Sequence, residues 1–238
     1  IESLAVTSAS YRSRKSCTFF QANSNANNWQ KNHREGKKTL IGIDHLMASV
    51  ALPLIFPAVR IKDEYFGDGA MRQATPLSPA IRLGAEKLMI ISAKETDDRF
   101  QLNNPGEQYP SFAKIAGYML EALFLDGLYS DIERLNRINQ IIKNSGDREI
   151  KTNNKTMKYV DYLVISPSED LNEIAQRHYY KMPLSIRLLL QGLGLLKDSK
   201  SELLSFLLFE SVYTSELIDL GYRDGIAKKE EIADFMSR

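Results

Sequence analysis

The 238-residue sequence has little cysteine and no long apolar run. Its one cysteine, Cys17, excludes an internal disulfide and a metal site built from several thiolates, and it suggests a reducing compartment. The most apolar stretch runs only from Leu46 to Val59 and is interrupted by Pro53 and Pro57. It is too short for a membrane-spanning helix. We therefore expect a globular cytoplasmic protein.

The chain also lacks a large excess of charge of either sign. Lys and Arg number 31 and Asp and Glu number 30, so the formal net charge is +1. This balance argues against an acidic disordered chain and against a broadly basic nucleic-acid binder. With 43% of residues hydrophobic, a sizeable buried core is expected.

The first residues carry no targeting signal. Residues 1–6 include no initiator methionine, no charged leader and no apolar signal core, and they enter a strand-like pattern at once. We expect that the sequence begins within a longer protein.

Positive charge is concentrated between residues 12 and 38, where Glu35 is the only acidic residue. We predict a surface loop here, between a strand that ends near Gln21 and a helix that begins near Ile43. It could be a solvated loop without a partner, or it could contact anionic lipid headgroups, where each cation contributes about 1 kcal/mol. The cations are Arg12, Arg14, Lys15, Lys31, Arg34, Lys37 and Lys38.

The first hundred residues carry strand signals. Short apolar or β-branched runs at Leu4–Thr7, Cys17–Phe20 and Leu88–Ile91 have the length of strands. A helical stretch from Pro79 to Ala85 precedes the last of them, and a helix followed by a buried strand is typical of an α/β fold.

After residue 101 the apolar pattern becomes helical. From Phe112 to Phe124 the apolar residues recur with helical spacing, and the same period continues to Ile142. One further strand is predicted near residues 160–165, which we expect to join the sheet. Ser166-Pro167-Ser168-Glu169 then forms a capping box that starts another helix. The capping pattern recurs at Ser199-Lys200-Ser201-Glu202, and we expect Gly221 to end a helix that begins near Thr214. We predict two regions, residues 1–100 and a mainly helical extension at 101–238.

The sharpest local motif is Phe66-Gly67-Asp68-Gly69-Ala70, a carboxylate between two glycines, and it follows a strand that we predict from Val59 to Phe66. By spacing alone, Asp-Gly predicts a tight hairpin turn.

The surrounding motifs suggest a second interpretation. An Ala-Ser-x-Ala-x-Pro segment begins at Ala48, a Phe-Pro pair lies at residues 56–57, the Asp-Gly turn follows at Asp68, and a proline-rich helix ends in Leu83-Gly84-Ala85. In content and order these motifs resemble the patatin-like phospholipases. The resemblance covers at least residues 4–92, and residues 124–135 and 165–168 are similar to the C-terminal extension of bacterial members.

The resemblance implies an α/β fold, of which this chain would form the C-terminal part of a three-layer α/β/α sandwich. It also implies a serine lipid acyl hydrolase that acts on phospholipids or other glycerolipid esters through a Ser–Asp dyad, without histidine, metal or cofactor. Carried over by position, Asp68 is the general base. Gly69 would supply a positive φ that presents the carboxylate.

The nucleophile that this family uses is missing from the printed sequence. A G-x-S-x-G elbow exposes the serine in such enzymes, but the only glycines four apart, Gly221 and Gly225, enclose Arg223. We expect the elbow and the oxyanion loop to precede Ile1, so that this chain alone is inactive. The alternative is a non-catalytic patatin-like fragment that binds lipid or a protein partner.

Other chemically capable residues are better explained by structural roles. Ser49 lies in a small-residue context but lacks both elbow glycines, and the resemblance implies that it is a packed helix residue. Each histidine lacks a clustered partner in the sequence, and Cys17 lies in a strand where a buried thiol is usual. The histidines are His33, His45 and His178.

Two further groups complete the candidates. The acidic pairs Asp97-Asp98 and Glu230-Glu231 point to different faces of a helix and make a poor metal site. The leucine-rich stretches at residues 188–190 and 203–209 could form an acyl-binding or membrane-facing surface, but such apolar density more often lies in a core.

Overall fold

The structure is a computed structural model, and it describes residues 2–23, 26–53, 55–93, 112–146, 149–152, 155–184, 187–188, 205 and 208–238. Side chains are described over the same ranges except at residues 112–126, 151–152 and 155. The chain divides into two compact units. The first contains residues 1–88 and 123–161, and the second contains residues 89–122 and 162–238.

A six-stranded sheet forms the centre of the first unit. Its spatial order is β3-β4-β2-β1-β6-β5, and all neighbours are antiparallel except the parallel pair β2 and β4. The strands are β1 Ser3–Ser10, β2 Ser16–Ala22, β3 Trp29–Gln30, β4 Arg34–Lys38, β5 Val59–Ile61 and β6 Glu64–Asp68. The strands predicted at Leu4–Thr7 and Cys17–Phe20 are thus confirmed.

Alternation along β1 separates two chemically different sheet faces. Ser8 lies opposite Cys17 of β2 and Asp68 of β6, so these three residues share one face. Thr7 lies opposite Thr18, and their hydroxyl oxygens are 3.2 Å apart on the other face. The side chains of Ser8 and Asp68 therefore lie on the same side of the sheet.

The prediction of a surface loop for the basic region is wrong in part, because this region contains two strands. Residues 34–38 form β4 beside β2, and Trp29 and Gln30 pair with them as β3. The polar sequence hides these strands, which depend on tertiary contacts. Trp29 stacks on Phe20 at a ring-centroid distance of 4.9 Å, and its indole occupies the space that a side chain at position 36 would need, so Gly36 leaves room for it.

The helix α1, Ile43–Ser49, begins where the sequence predicts and covers the face that carries Asp68. Beneath it lies an apolar cluster of Cys17, Phe19, Ala48, Ile61 and Phe66. The segment 59–66, which we predicted as one strand, is a hairpin. Its two-residue turn is Lys62-Asp63, and Lys62 has a φ of 55°.

The remaining elements up to residue 165 include two short sheets. They are α2 Ser78–Arg82, β7 Lys87–Ile91, α3 Phe112–Asn144, β8 Glu149–Thr152, β9 Lys155–Lys158 and β10 Asp161–Ile165. The helix predicted from Phe112 is confirmed. The strand predicted near 160–165 is present, but it pairs with β7 in a two-stranded sheet rather than with the six-stranded one.

Polar side chains fix α3 to the rest of the first unit. Asp131 accepts a hydrogen bond from the Leu77 amide at 3.0 Å. The amide side chain of Asn139 donates to the carbonyl of Val160 at 2.8 Å and accepts from its N–H at 3.1 Å. Both side chains are buried, so each contact satisfies backbone groups that would otherwise be costly to bury.

The described residues of the second unit after residue 170 are mainly helical. Its helices are α4 Leu171–His178, α5 Ser211–Ala227 and α6 Lys229–Ser237. A core cluster joins α4 and α5 through Ile174, Ala175, Tyr213 and Leu220. No helix in the described ranges combines the length and apolar character needed to cross a bilayer.

Two helix-boundary predictions in this unit are wrong in detail. The N-cap of α4 is Asp170, whose carboxylate accepts from the Asn172 N–H at 2.8 Å, whereas Ser168 binds the carboxylate of Asp224. Gly221 does not end a helix but lies inside α5. In both places a tertiary contact or the length of the helix overrides the local sequence signal.

The mixed α/β fold that we predicted, with a helical C-terminal portion, is confirmed. The domain boundary predicted at residue 100 lies outside the described residues and stays a prediction. Asp97-Asp98 and residues 199–204 also lie outside them.

Candidate active site

Asp68 lies where β6 ends and the chain turns into a short 3₁₀ helix at Gly69–Met71. Its Oδ1 accepts a hydrogen bond from the Ala70 N–H at 2.8 Å, so the side chain caps this turn. Its own N–H donates to the carbonyl of Ala51 at 2.9 Å. Backbone contacts before and after Asp68 thus fix the carboxylate at one end of a central strand. The Asp-Gly pair is not a hairpin turn.

Gly69 is required by close packing rather than by its φ. A Cβ at position 69 would lie 2.3 Å from the carbonyl oxygen of Thr7 on β1, a distance that no side chain can adopt. The expected positive φ is wrong, because the described glycines with positive φ are Gly84 and Gly146. Gly69 lets the turn that holds Asp68 lie directly against β1.

Burial changes the chemistry of the Asp68 carboxyl. The residue is only 7% exposed. Burial raises the pKa of Asp68 above its ordinary value of 3.8, and the hydrogen bond from the Ala70 N–H opposes this rise. A carboxylate with a raised pKa accepts a proton more readily than an exposed one, which suits a general base.

Ser8 is the nearest neighbour of Asp68 across the sheet. Tyr11 N–H donates to Tyr65 carbonyl oxygen, so the alternation of the ladder makes Ser8 and Asp68 a non-hydrogen-bonded pair, the kind whose side chains lie closest. Ser8 is 0% exposed, and its hydroxyl has no hydrogen-bond partner within the described part of the chain. No sequence motif points to Ser8, because only the strand register brings it to Asp68.

Ser49 occupies the structural role that we predicted. It is the last residue of α1, and its hydroxyl donates to the Leu46 carbonyl at 2.7 Å within the same helix.

The three histidines lie apart from Asp68 in the contacts that the structure describes. His33 is exposed on the basic segment. His45 accepts from the Gly42 N–H at 3.0 Å at the start of α1, and its ring meets Phe19 edge-on. His178 contacts Glu216 through Nε2, joining α4 to α5. The described side-chain contacts of His45 and His178 thus hold helices in place, as the structural role predicted for them requires.

Cys17 is fully buried in the cluster beneath α1. Burial raises the pKa of the Cys17 thiol to about 12, so the thiolate form is strongly disfavoured. The inert role predicted for this cysteine agrees with that environment. Glu230 and Glu231 are exposed in the first turn of α6, where acidic residues complement the helix dipole.

Comparison with known proteins places Asp68 in a recognisable segment. Residues 3–81 match the family described as patatin-like phospholipase. No curated protein and no solved structure matches the chain. The family match confirms the predicted resemblance over the sheet, α1 and the Asp68 turn, and it supports a lipid hydrolase family for this segment.

Proposed function

We propose, from the patatin-like phospholipase match over residues 3–81, that this chain supplies Asp68 as the general base of a serine lipid acyl hydrolase. The observation that carries the proposal is the buried carboxylate at the end of β6, held by the Ala70 N–H inside the matched segment. The printed sequence has no G-x-S-x-G pattern. The proposal therefore assigns the nucleophilic serine to a segment outside residues 1–238.

Asp68 accepts a proton in each half of the proposed reaction. Asp68 takes the proton of the serine hydroxyl while the serine oxygen attacks the ester carbonyl of a glycerolipid. The tetrahedral intermediate collapses, the C–O bond to the alcohol breaks, and Asp68 returns the proton to the departing oxygen. Water then attacks the acyl-serine, Asp68 takes a proton from it, and the fatty acid leaves as the serine oxygen is reprotonated. The step uses no metal and no cofactor.

The basic segment at residues 12–38 supports a peripheral membrane contact as part of this proposal. Arg12, Arg14, Lys31 and Lys38 are exposed, whereas Arg34 and Lys37 are partly covered. Exposed cations attract anionic headgroups and would bring a cytoplasmic enzyme to its lipid substrate.

The test compares Asp68→Asn with wild type in a protein that joins the nucleophile-bearing segment to this chain. Loss of a general base is expected to lower kcat for a short-chain lipid ester by about 10²–10⁴-fold. Asp63→Asn is the matched control, because Asp63 is an exposed carboxylate in the β5–β6 turn and its loss should leave kcat unchanged. Retained turnover in Asp68→Asn would overturn the assignment.

A second experiment uses residues 1–238 alone. A serine-directed fluorophosphonate is expected to leave this chain unlabelled, since the proposed nucleophile lies elsewhere. Stoichiometric labelling would show that a serine within these residues is activated, and its site would be found by peptide mapping. Lipid binding by a joined protein that shows no turnover would instead favour a non-catalytic role.

A further inference from the structure

A cleft of about 1070 Å³ lies in the first unit, on the sheet face opposite to Asp68. Thr18, Trp29 and Arg34 line it from the sheet, and Thr18 belongs to the face that alternates with Ser8 and Asp68. Residues of α2 and α3 form further walls. Its cationic lining residues are Lys31, Arg34, Arg72, Arg82 and Arg134.

Arg34 is the most enclosed of these cations. It is half-buried on β4, and its guanidinium donates to the hydroxyl of Thr75. The pKa of Arg34 is lowered, first by burial and then by the positive charge of Arg82, with a smaller contribution from Arg134. The charges of Arg82 and Arg134 thus both reach Arg34, and the carboxylate of Asp131 opposes them in part.

The other two arginines are held by contacts on different elements. The guanidinium of Arg82, in the last turn of α2, lies 6.0 Å from the centre of the Trp29 ring. Arg134 on α3 lies 3.8 Å from Oδ1 of Asp131. Because β4, α2 and α3 are each fixed in the first unit, the three arginine side chains line the same cleft before any ligand binds.

One carboxylate does not balance this charge. Among the described lining residues, Asp131 is the only acid beside five cations. Its other oxygen, Oδ2, already accepts the Leu77 N–H, and burial raises the pKa of its carboxyl. The cleft retains an excess of positive charge that a bound anion would neutralise.

We propose that this cleft binds a ligand that carries a phosphate monoester. Guanidinium groups match phosphate oxygens with paired hydrogen bonds, and a dianion is the charge that several convergent arginines favour. The cleft is larger than one phosphate needs, and Leu77, Leu135 and Ile138 line it with apolar surface. The ligand is therefore a phosphate joined to an organic body, either a soluble ester or a lipid headgroup. The site is independent of Asp68 and of the proposed hydrolase activity.

Trp29 makes the test direct, because it is the only tryptophan in the sequence and it lines the cleft. Phenyl phosphate is titrated into the 238-residue chain while tryptophan fluorescence is recorded. A saturable change is expected. Arg34→Gln should weaken binding by about tenfold or more, because it removes a charge-assisted contact. Arg34→Lys keeps the charge but loses the paired hydrogen-bond geometry. Its affinity for phenyl phosphate should lie between those of wild type and Arg34→Gln.

Arg12→Gln is the matched control, since Arg12 belongs to the same basic segment but does not line the cleft. It should leave the phenyl phosphate affinity unchanged. Urea unfolding of each variant shows whether a loss of binding reflects a loss of folding. A response without saturation, or an equal loss in Arg12→Gln and Arg34→Gln, would overturn the proposal.

Vesicles distinguish the two sources of phosphate. Phosphatidylcholine vesicles that contain phosphatidic acid offer a monoester, whereas the same vesicles with phosphatidylserine offer anionic charge without one. Arg34-dependent binding to the phosphatidic acid vesicles alone supports the lipid headgroup. Saturable phenyl phosphate binding without vesicle binding supports a soluble ester. Equal binding to both vesicles that is insensitive to Arg34→Gln, together with no saturable phenyl phosphate response, would show general charge attraction and overturn the site.

Discussion

A single carboxyl group, that of Asp68, carries the main chemical expectation for this chain. Its side chain is nearly enclosed between β1, β6 and the turn that it caps, and the stabilising contact comes from one backbone N–H. Burial disfavours its charged form more than this hydrogen bond favours it, so the folded state holds a proton on Asp68 more tightly than the unfolded state does.

This difference predicts a pH dependence of stability. Since the folded pKa of Asp68 is raised, its contribution is fully present below the ordinary pKa of 3.8 and is lost as the pH rises through the folded value. Asp68→Asn cannot ionise and should keep the stability that wild type loses over this range. Urea midpoints of the two proteins, measured from acid to neutral pH, should diverge as the pH increases. Parallel curves would contradict the prediction.

Ser8→Ala should stabilise the chain. Among the residues that the structure describes, the buried Ser8 hydroxyl has no hydrogen-bond partner, and removing an unsatisfied polar group relieves a cost of about 1–3 kcal/mol. Ser10→Ala is the matched control two residues along the same strand face, because the Ser10 hydroxyl donates to Glu64 at 2.6 Å and its loss should destabilise. Urea unfolding at neutral pH measures the free energy of unfolding of both variants, which should change in opposite directions. A less stable Ser8→Ala would mean that the hydroxyl has a partner.

Individual site residues differ in how far the sequence could reveal them. The motif order singles out Asp68 and Gly69, because their neighbours along the chain carry the resemblance. The reason for Gly69 was not predictable, since the Thr7 carbonyl that it approaches is distant in sequence. Arg34 lies in the basic segment that the charge pattern marks, whereas Ser8, Arg82 and Arg134 are placed by strand register and by contacts between distant segments, and no local pattern marks them.

Among the secondary-structure elements, a glycine that lets two backbone segments lie close together should respond to substitution differently from a glycine inside a helix. Gly69→Ala would place a methyl group against the Thr7 backbone, which cannot move aside as a side chain can, and should destabilise by about 3 kcal/mol. Gly221→Ala lies in open space inside α5 and should stabilise by about 1 kcal/mol. Thermal and urea unfolding check both. Equal effects of one sign would contradict the contrast.

Apolar patterns predicted elements well, and polar elements were missed. The periodicity after Phe112 and the runs at Leu4 and Cys17 correspond to α3, β1 and β2. The short strands β3 and β4 contain mostly polar residues, and they form because β2 offers a pairing edge and Trp29 covers Gly36. Such strands are set by tertiary context rather than by their own composition.

For the whole molecule, the path of the chain between its two compact units has a clear consequence. The first unit needs residues 123–161 as well as residues 1–88. Without the later segment, Leu77 N–H loses Asp131 and the buried surface under α3 opens.

A truncated chain tests this organisation. A protein that ends at residue 100 should bind the apolar dye ANS and unfold with low cooperativity, because it lacks all of α3 and both β8 and β9. A protein that ends at residue 161 retains every segment of the first unit and should unfold more cooperatively. Circular dichroism during urea titration measures the difference. Equal cooperativity in the two fragments would show that residues 1–100 fold without α3.

The same interleaving sets the order in which the protein can mature during synthesis. A ribosome that has released residues 1–88 has not yet made the helix that completes the first unit, and residues 89–122 emerge before the rest of their own unit exists. Neither unit is built from one continuous stretch of chain, so neither can fold completely as soon as its first segment has been synthesised. The nascent chain must therefore keep the surfaces of the first unit unfinished until residue 161 has been synthesised.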